Sequence, residues 1–369
     1  MSNRYGFPPK SIAVVLGTRP EIVKLAHIIQ LLEEAAFVVH TGQHYDPNLS
    51  EVFFRDLGLP PPDLFLEIGG AARGEQIGSA TSSIDRFLSQ HRPQAVVVQG
   101  DTNSVAAGAL AANSRDIFLC HIEAGLRSRD RQMPEEHNRI ITDHLSDLCC
   151  APTETAVANL AAEGITENRV ALTGNTVVEA VMGLMPSNRG EILERYDVEA
   201  GEFILATFHR PENVDDPDRY TAILNELANL PLPVILPLHP RSVARAESFG
   251  LGTLLEKLRI TEPIGYRDFL GLEAESALMV SDSGGIAEEA SVVKRPLVVV
   301  RNSTERPEVM GTFAVLVHPG PGIGEESRKM LEAGWSHLAD IPSPYGTGSA
   351  SQASLEALRN KLEDADAMH

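Results

Sequence analysis

Short apolar runs alternate with longer segments of helical periodicity along almost the whole chain. The runs are rich in β-branched residues and lack alternation of apolar and polar positions, which is typical of parallel strands buried on both faces. A first series of predicted strands comprises Ile12–Leu16, Phe37–Thr41, Ala95–Gln99, Ile117–Ile122, Leu148–Ala151 and Val170–Thr173. A second series comprises Phe203–Phe208, Val234–Leu238, Leu258–Thr261, Leu278–Ser281, Leu297–Arg301 and Ala314–Val317. Helices between the strands predict an α/β protein with two doubly wound units.

The two series divide the chain near Gly174–Pro186. We expect a first Rossmann-like domain of residues 1–176, joined by a C-terminal helix of residues 354–369. A second Rossmann-like domain would cover residues 177–353. Ligands of open parallel sheets bind beyond the carboxyl ends of the strands. We therefore expect the two domains to face each other across a cleft that holds the ligand.

Composition and net charge argue against some classes of binding partner. The chain has 369 residues, of which 43% are hydrophobic and 22% charged, as in a globular protein with a full core. Its net charge of −20 argues against nucleic acid and anionic membranes, which both need a basic surface. Neither a signal peptide nor a membrane-spanning run is evident. We expect a cytoplasmic protein.

The cysteines indicate no disulfide framework and no zinc site. There are three in the chain, and Cys149 and Cys150 are adjacent within an apolar strand. Buried reduced thiols are the simplest interpretation of that pair. His121-Ile122-Glu123 faintly resembles the zinc signature of deaminases, but no Pro-Cys-x-x-Cys segment follows it. We therefore expect no metal.

Ionisable side chains are concentrated at the end of a predicted strand and in the segment after it. Cys120–Arg127 and Met133–Arg139 together hold carboxylates, histidines and arginines that packing alone does not explain. Glu123 and Glu135 are candidate proton-transfer groups, and Asp101 follows a neighbouring strand. Three carboxylates in one site would raise one another's pKa values, so that some act as acid and others as base. For Asp101 the alternative is a simple helix cap.

Two further strand ends carry basic residues. Arg19 and Lys24 lie at the start of a predicted helix, where the helix N-terminus favours anions. A solvated surface cap is the alternative for this segment. His209 and Arg210 suit a phosphate, with the histidine as donor or general acid. A purely structural histidine is the alternative there.

Ser283-Gly284-Gly285 predicts a phosphate site at the start of another helix. Glycines let the backbone approach an anion, which then accepts hydrogen bonds from the free N–H groups of the helix. Glu289, one turn later, is placed to accept hydrogen bonds from the hydroxyl pair of a ribose. Phe269 offers a ring on which a base can stack, with core packing as the alternative. The spacing matches neither a dinucleotide fingerprint nor a P-loop, so we expect no nicotinamide and no ATP.

Taken together, these segments resemble the non-hydrolysing UDP-N-acetylglucosamine 2-epimerases, which have the two-domain GT-B fold. The resemblance runs from Val15 to about Leu358. It is carried by these motifs in one order: Gly-Thr-Arg-Pro-Glu, Gly-Gln-His-Tyr-Asp, Gln-Gly-Asp-Thr, Glu-Ala-Gly-Leu-Arg, Pro-Glu-Glu-His-Asn-Arg, His-Arg-Pro-Glu-Asn, Asp-Ser-Gly-Gly-Ile, Thr-Glu-Arg-Pro-Glu and Pro-Tyr-Gly-Thr-Gly. The resemblance implies an isomerase without a cofactor. It would eliminate UDP to form 2-acetamidoglucal and add UDP back to give UDP-N-acetylmannosamine.

The resemblance also implies roles for individual residues and a homodimer. The family's acid/base carboxylates match Asp101, Glu123 and Glu135. Its essential histidine, at the diphosphate, matches His209. The family's substrate- and UDP-binding positions match Arg19, Lys24, Arg210, Phe269, Ser283, Gly284, Gly285, Glu289 and Arg306. Some members bind a second UDP-sugar as activator beside positions that match Gln43 and His44.

Three alternatives share part of this pattern. A hydrolysing epimerase would use the same carboxylates but release N-acetylmannosamine and UDP. A GT-B glycosyltransferase is disfavoured by the full set of three carboxylates, because inverting transfer needs one base. A nucleotide-sugar sensor would be expected to lose a carboxylate or His209. The segment Thr312–His318 departs from the family pattern beside the sugar region, so it bears on substrate and regulation.

Overall fold

A computed structural model describes residues 3–43, 54–55 and 57–367 of the chain. The chain forms two compact units. One consists of Met1–Ala180 with Tyr345–His369, and the other of Val181–Pro344. The C-terminal segment therefore returns to the unit in which the chain begins.

The first unit is built on a parallel sheet, with seven strands in the residues that the structure describes. They are β1 (Ile12–Leu16), β2 (Ala36–His40), β3 (Leu64–Phe65), β4 (Ala95–Gln99), β5 (Phe118–Ile122), β6 (Leu148–Ala151) and β7 (Val170–Leu172). Their order across the sheet is β3-β2-β1-β4-β5-β6-β7. The order reverses between β1 and β4, which lie side by side in register from Ile12 opposite Ala95.

The second unit repeats this plan with its own parallel sheet. Within the described residues its strands are β8 (Ile204–Thr207), β9 (Val234–Pro237), β10 (Arg259–Thr261), β11 (Leu278–Ser281), β12 (Leu297–Val300) and β13 (Ala314–Val317). Their order is β10-β9-β8-β11-β12-β13. Here the order reverses between β8 and β11, which pair from Leu278 opposite Ile204.

Helices connect the strands in both units. In the first part of the chain they are α1 (Arg19–Leu32), α2 (Arg73–His91), α3 (Asn103–Asn113), α4 (Pro134–Leu145), α5 (Glu154–Ala162) and α6 (Val177–Leu184). They continue with α7 (Arg189–Arg195), α8 (Pro211–Val214), α9 (Pro217–Ala228), α10 (Pro240–Ser248), α11 (Gly252–Leu255), α12 (Tyr266–Glu275), α13 (Gly284–Val293), α14 (Gly322–Ala333) and α15 (Ala350–Ala367). Among the described residues, none of these helices combines the length and apolar character needed to cross a bilayer.

The central strands are buried on both faces, which is why the sequence shows unbroken apolar runs. Every residue of β1 is fully buried, and so is every residue of β12. Each large apolar side chain removed from water contributes roughly 1.5–3 kcal/mol. The prediction of two doubly wound parallel α/β sheets is confirmed.

Differences from the predicted strands are small and occur at the edges. The structure adds β3, whose two residues pair with Val39 and His40 and are partly exposed. A strand this short and half exposed leaves no periodic signal in the sequence. Most other strands begin or end within one residue of the predicted position, and α15 begins four residues before the predicted start at Ser354.

Candidate active site

The candidate residues follow the strands at which each sheet reverses its order, or the strand beside them. In the first unit the turns after β1 and β4 carry Arg19 and Asp101, and β5 ends next to Glu123. In the second unit His209 follows β8 and Ser283 follows β11. Such reversal points are where open parallel sheets bind ligands.

The turn after β1 is fixed by a buried carboxylate that the sequence analysis did not single out. The Glu21 carboxylate accepts hydrogen bonds from the backbone N–H groups of Gly17 at 3.0 Å and Thr18 at 2.7 Å. It also accepts the Thr102 hydroxyl at 2.8 Å, which ties this turn to the one after β4. Arg19 is partly buried at the first position of α1, directly after this turn.

Burial raises the pKa of Glu21 to about 7, against the hydrogen bonds that favour its charged form. In the unfolded chain Glu21 has its ordinary pKa of 4.5. Between pH 4.5 and about 7 the unfolded chain therefore binds fewer protons than the folded chain. This group stabilises the fold least at high pH, since its contribution is lost as the pH rises from 4.5 to about 7. The free energy of unfolding that this group contributes therefore falls by about 3 kcal/mol over this pH range, at 1.36 kcal/mol per unit of pKa shift.

We expect Glu21→Gln to flatten the pH dependence of stability. The variant keeps the size of the side chain and has no proton to gain, so the loss of stability between pH 5 and pH 8 should shrink by up to about 3 kcal/mol. Denaturant unfolding of wild type and variant at both pH values measures this. If the free energy of unfolding changes equally in wild type and variant between the two pH values, Glu21 does not titrate in this range.

Gly17 is required by close packing at the same turn. A Cβ atom there would lie 2.0 Å from the Thr41 hydroxyl oxygen and 2.1 Å from that of Ser104. Gln43 adds to this cluster, because its amide oxygen accepts from the backbone N–H of Ser104 at 3.0 Å and from its hydroxyl at 2.9 Å. The predicted partner of Gln43 in an activator site, His44, lies outside the described residues.

Glu123 and Lys24 form a buried ion pair. Their Oε2 and Nζ atoms are 2.5 Å apart, and the side chains are 4% and 9% exposed. Gln99 donates to the same carboxylate oxygen at 3.0 Å. Glu123 has a φ of +68°, which is uncommon for a residue with a Cβ and marks a constrained position. Lys24 therefore holds this carboxylate at the end of β5.

Asp101 is held by an arginine from α4. Arg139 donates to its Oδ2 from Nη2 at 2.6 Å and from Nε at 3.0 Å. The Asp101 side chain remains one-quarter exposed, whereas that of Arg139 is only 3% exposed. The Asn138 amide donates to the Asp101 carbonyl at 2.9 Å. Asp101 thus keeps a partly exposed carboxylate on a turn anchored to α4.

Two adjacent glutamates at the start of α4 have different environments. Glu135 is partly exposed in the first helical turn. Glu136 is buried and accepts from the backbone N–H groups of Ser128 and Arg129 at 2.9 and 2.8 Å. Burial disfavours its charge, but these bonds and Arg139 hold its pKa below the ordinary value. Glu136 therefore anchors the preceding loop, and Glu135 is the more exposed of the two.

A fully buried histidine braces the turn that carries Asp101. His121 Nδ1 lies 2.6 Å from Asp143, and its Nε2 lies 2.8 Å from the Gly100 carbonyl. These two contacts fix the orientation of the ring between α4 and the turn after β4. Burial opposes the charge of Asp143, but His121 and Arg127 hold its pKa below the ordinary value. In the described part of the chain, no group of three or more histidine, cysteine, aspartate or glutamate side chains is arranged to hold a metal ion.

His209, in the second unit, is oriented by a buried aspartate. Its Nδ1 lies 3.1 Å from Asp282 Oδ1, and its side chain is 64% exposed. Asp282 also accepts the backbone N–H of Arg210 and the Asn213 amide, both at 3.1 Å. Burial raises the pKa of Asp282, but these hydrogen bonds outweigh burial and leave its pKa below the ordinary value. The ring nitrogen Nε2 is thereby directed away from Asp282.

Helix α13 begins with two glycines that have different surroundings. A Cβ at Gly284 would lie 2.5 Å from a carboxylate oxygen of Glu305, which is buried and bonded to Arg301. At Gly285 the nearest atom would be the Ser283 hydroxyl at 3.7 Å, an ordinary contact. Gly284 is therefore required by packing, whereas Gly285 leaves the helix N-terminus open to a ligand. Such N-termini bind anions.

Further along α13, two glutamates take different partners. Glu289 accepts the Tyr266 hydroxyl at 2.7 Å. Glu288 is fully buried and pairs with Arg306 at 2.5 Å. Arg306, a predicted UDP-binding residue, is itself buried in this ion pair, so its role toward a ligand stays a prediction. Phe269 is partly buried in the first turn of α12.

Four site residues were not assigned a role from the sequence. Glu21 has a recognisable signal, because Thr18-x-x-Glu21 is a capping box. Arg139 and Asp282 lie within the quoted motifs and Tyr266 lies three residues before Phe269, but their partners are 38, 73 and 23 residues away. No local spacing identifies contacts at such separations.

Two parallel α/β sheets with candidate site residues at their reversal points define a protein of the GT-B type. The model of the family described as UDP-N-acetylglucosamine 2-epimerase matches residues 31–359. The chain belongs to this family.

Relatives and solved structures agree with this assignment. The chain is 39% identical over 364 residues to the UDP-N-acetylglucosamine 2-epimerase of Methanocaldococcus jannaschii, covering 94% of this chain and 98% of that one. It is 37% identical over 358 residues to the UDP-2,3-diacetamido-2,3-dideoxy-D-glucuronate 2-epimerase of Pseudomonas aeruginosa, covering 94% and 99%. A crystal structure of the M. jannaschii enzyme in complex with UDP-GlcNAc and UDP superposes with a TM-score of 0.85 at 38% identity, covering 96% and 99%.

Proposed function

We propose that this protein interconverts UDP-N-acetylglucosamine and UDP-N-acetylmannosamine by elimination and re-addition of UDP, without hydrolysis. One observation carries the proposal. The candidate carboxylates follow β4 and its neighbour β5, beside the reversal point of the first sheet, and a glycine-containing helix start and an aspartate-oriented histidine lie at the reversal point of the second sheet. The first relative above, a UDP-N-acetylglucosamine 2-epimerase, supports the choice of substrate.

The reaction needs one group to remove a proton and another to return one. A carboxylate takes the proton at C2, the C–H electrons form the C1–C2 double bond, and the C1–O electron pair leaves with UDP. In the return step an acid protonates C2 on the opposite face, and a UDP oxygen adds to C1. No external oxidant or reductant enters this balance.

Asp101, Glu123 and Glu135 are the residues that would carry the protons. Lys24 and Arg139 fix two of them in place, and positioned acids and bases of this kind contribute about 10²–10⁴-fold to a rate. Glu135 is partly exposed at the N-terminus of α4. The different surroundings of the three carboxylates are what separate roles of acid and base require.

UDP would be held by the second unit. Its diphosphate would accept hydrogen bonds from the N-terminus of α13, and His209 would donate to it from Nε2 as the C1–O bond breaks. Glu289 would accept the ribose hydroxyls, and Phe269 would stack on the uracil. The leaving group of the first step is thereby retained for the second.

The glycines at the start of α13 provide a test of this nucleotide site. We expect Gly285→Ala to weaken UDP binding about tenfold or more without changing the unfolding temperature, because the added methyl group fits the protein but occupies the anion's approach. Calorimetric titration with UDP measures the affinity. Gly284→Ala is the matched control and should lower the unfolding temperature, because its methyl group displaces Glu305. Wild-type UDP affinity in Gly285→Ala would contradict this placement of the diphosphate.

A second substrate is favoured by one comparison. The P. aeruginosa relative is named for UDP-2,3-diacetamido-2,3-dideoxy-D-glucuronate and is nearly as similar as the M. jannaschii protein. The same two-step chemistry would apply, because it acts only at C1 and C2. The two sugars differ at C3 and C6, so parallel assays with both distinguish the candidates.

Product analysis by proton NMR in D₂O tests the function directly. We expect UDP-N-acetylglucosamine to yield UDP-N-acetylmannosamine with deuterium at C2, in the presence of EDTA and without added nicotinamide. Deuterium enters because the abstracted proton exchanges with solvent before another group returns one. Free N-acetylmannosamine with UDP would instead establish the hydrolysing reaction, and full retention of the C2 hydrogen would exclude elimination.

A further inference from the structure

The second unit contains a fully buried carboxyl group that the proposed mechanism does not use. Glu273 lies in α12 and has no exposed surface. Neither of its carboxyl oxygens receives a hydrogen bond from a donor in the described structure. An ionised carboxylate in such a place would cost a large amount of free energy.

The charged neighbour of Glu273 is another carboxylate. Burial and the Glu289 carboxyl, which lies against it, raise the pKa of Glu273 well above its ordinary value. Among the described residues, no lysine or arginine contributes to this shift. A carboxyl group that is buried against another carboxyl group and receives no hydrogen bond is stable only when it carries a proton.

Helix α12 presents two groups to Glu289 from one face. Tyr266 and Glu273 are seven residues apart, a spacing that places both on the same side of the helix, and α12 packs against α13. The Tyr266 hydroxyl donates to Glu289 Oε1 at 2.7 Å. Burial, followed by Glu289, raises the pKa of Tyr266 well above its ordinary value, so this hydroxyl keeps its proton.

We infer that Glu273 is a protonated carboxylic acid that donates a hydrogen bond to Glu289 and, with Tyr266, fixes the carboxylate that receives the ribose hydroxyls. A carboxylate offers about four acceptor positions, so it can accept from more than one donor at once. Glu273 is thus a positioning residue. This inference rests on the proposed binding of UDP through Glu289.

The inference is tested by comparing UDP with 2′,3′-dideoxy-UDP, which lacks the ribose hydroxyls. Glu273→Met removes the donor at similar volume, so we expect UDP affinity to fall about tenfold, as for loss of one hydrogen bond to a charged group. Affinity for the dideoxy nucleotide should stay unchanged. Glu273→Gln keeps an N–H donor and should retain the wild-type preference for UDP. Calorimetric titration measures both ligands.

Glu275→Gln is the matched control on the same helix, because it pairs with Arg189 and not with Glu289. This variant should keep the wild-type preference for UDP over 2′,3′-dideoxy-UDP. Equal loss of both nucleotides in Glu273→Met would indicate a merely structural role, and an unchanged preference would also overturn the inference. If wild type binds no UDP, the proposed function itself fails.

Infrared spectroscopy provides a test that does not depend on Glu273→Met folding. At pH 8 the wild-type minus Glu273→Gln difference spectrum should contain the carbonyl band of one protonated carboxyl group. The band should be present with and without UDP. Its absence from the difference spectrum would show that Glu273 is ionised and would overturn the inference.

Discussion

Asp101→Asn, Glu123→Gln and Glu135→Gln should each lower turnover by about 10²–10⁴-fold, the usual contribution of a positioned acid or base. UDP affinity should stay near the wild-type value, because in the proposed function the nucleotide is held by residues of the second unit. Steady-state assays give the turnover and calorimetric titration gives the affinity. Glu154→Gln, an exposed glutamate in the first unit, is the control for the carboxamide change itself.

The three variants should differ in stability. Glu123→Gln leaves the buried Lys24 ammonium without its carboxylate, so its unfolding temperature should fall, whereas Glu135→Gln should unfold like wild type. Adding Lys24→Met to Glu123→Gln should restore stability but not turnover. Near wild-type turnover in all three single variants would show that the acid/base assignment is wrong.

His209→Asn should lower turnover by about 10²-fold or more and also weaken UDP binding, because the imidazole would touch the leaving diphosphate. Its side chain is mostly exposed, so the fold should keep its stability. His337→Asn, an exposed histidine of the same unit, is the control. Unchanged UDP affinity and turnover in His209→Asn would remove the histidine from the mechanism.

Asp282→Asn should combine a loss of turnover with a loss of stability. Its two oxygens accept from His209, Arg210 and Asn213, and a carboxamide would turn an N–H group toward some of these donors. Leaving a buried donor unsatisfied costs about 1–3 kcal/mol. Thermal unfolding separates this effect from the purely kinetic effect of His209→Asn. A variant as stable as wild type would show that these donors do not depend on the carboxylate.

Much of the fold was predictable because buried parallel strands have unbroken apolar sequences. β1, β4, β6, β11 and β13 have the predicted bounds, and the parallel arrangement followed from the helices between strands. β3 was missed because two half-exposed residues carry no pattern. The order of strands is also absent from the local sequence, since it depends on which helices cover which face.

The candidate site was predictable in composition but not in pairing. Motifs at strand ends identified Glu123 and Lys24 separately, yet the two are 99 residues apart in the chain and meet only because β1 and β5 both flank β4. Asp101 and Arg139 are likewise far apart in the chain, at 38 residues, and are brought together by the fold. Local sequence indicates which residue types are present, and the topology decides which of them come into contact.

The return of the chain to its first unit has a consequence for biosynthesis. Residues 181–344 are an insertion within the sequence of the first unit, and α15 contacts α1 after that insertion ends. The Asn175 backbone N–H donates to the Tyr345 carbonyl at 2.9 Å, and that of Ser351 donates to Glu179 at 2.8 Å. On the ribosome, the described strands of the first sheet, which end at Leu172, therefore emerge before the inserted sheet, whereas α15 emerges only after it. A nascent chain stalled before α15 would leave uncovered the surface of α1 that this helix contacts, and surface exposed in this way favours aggregation.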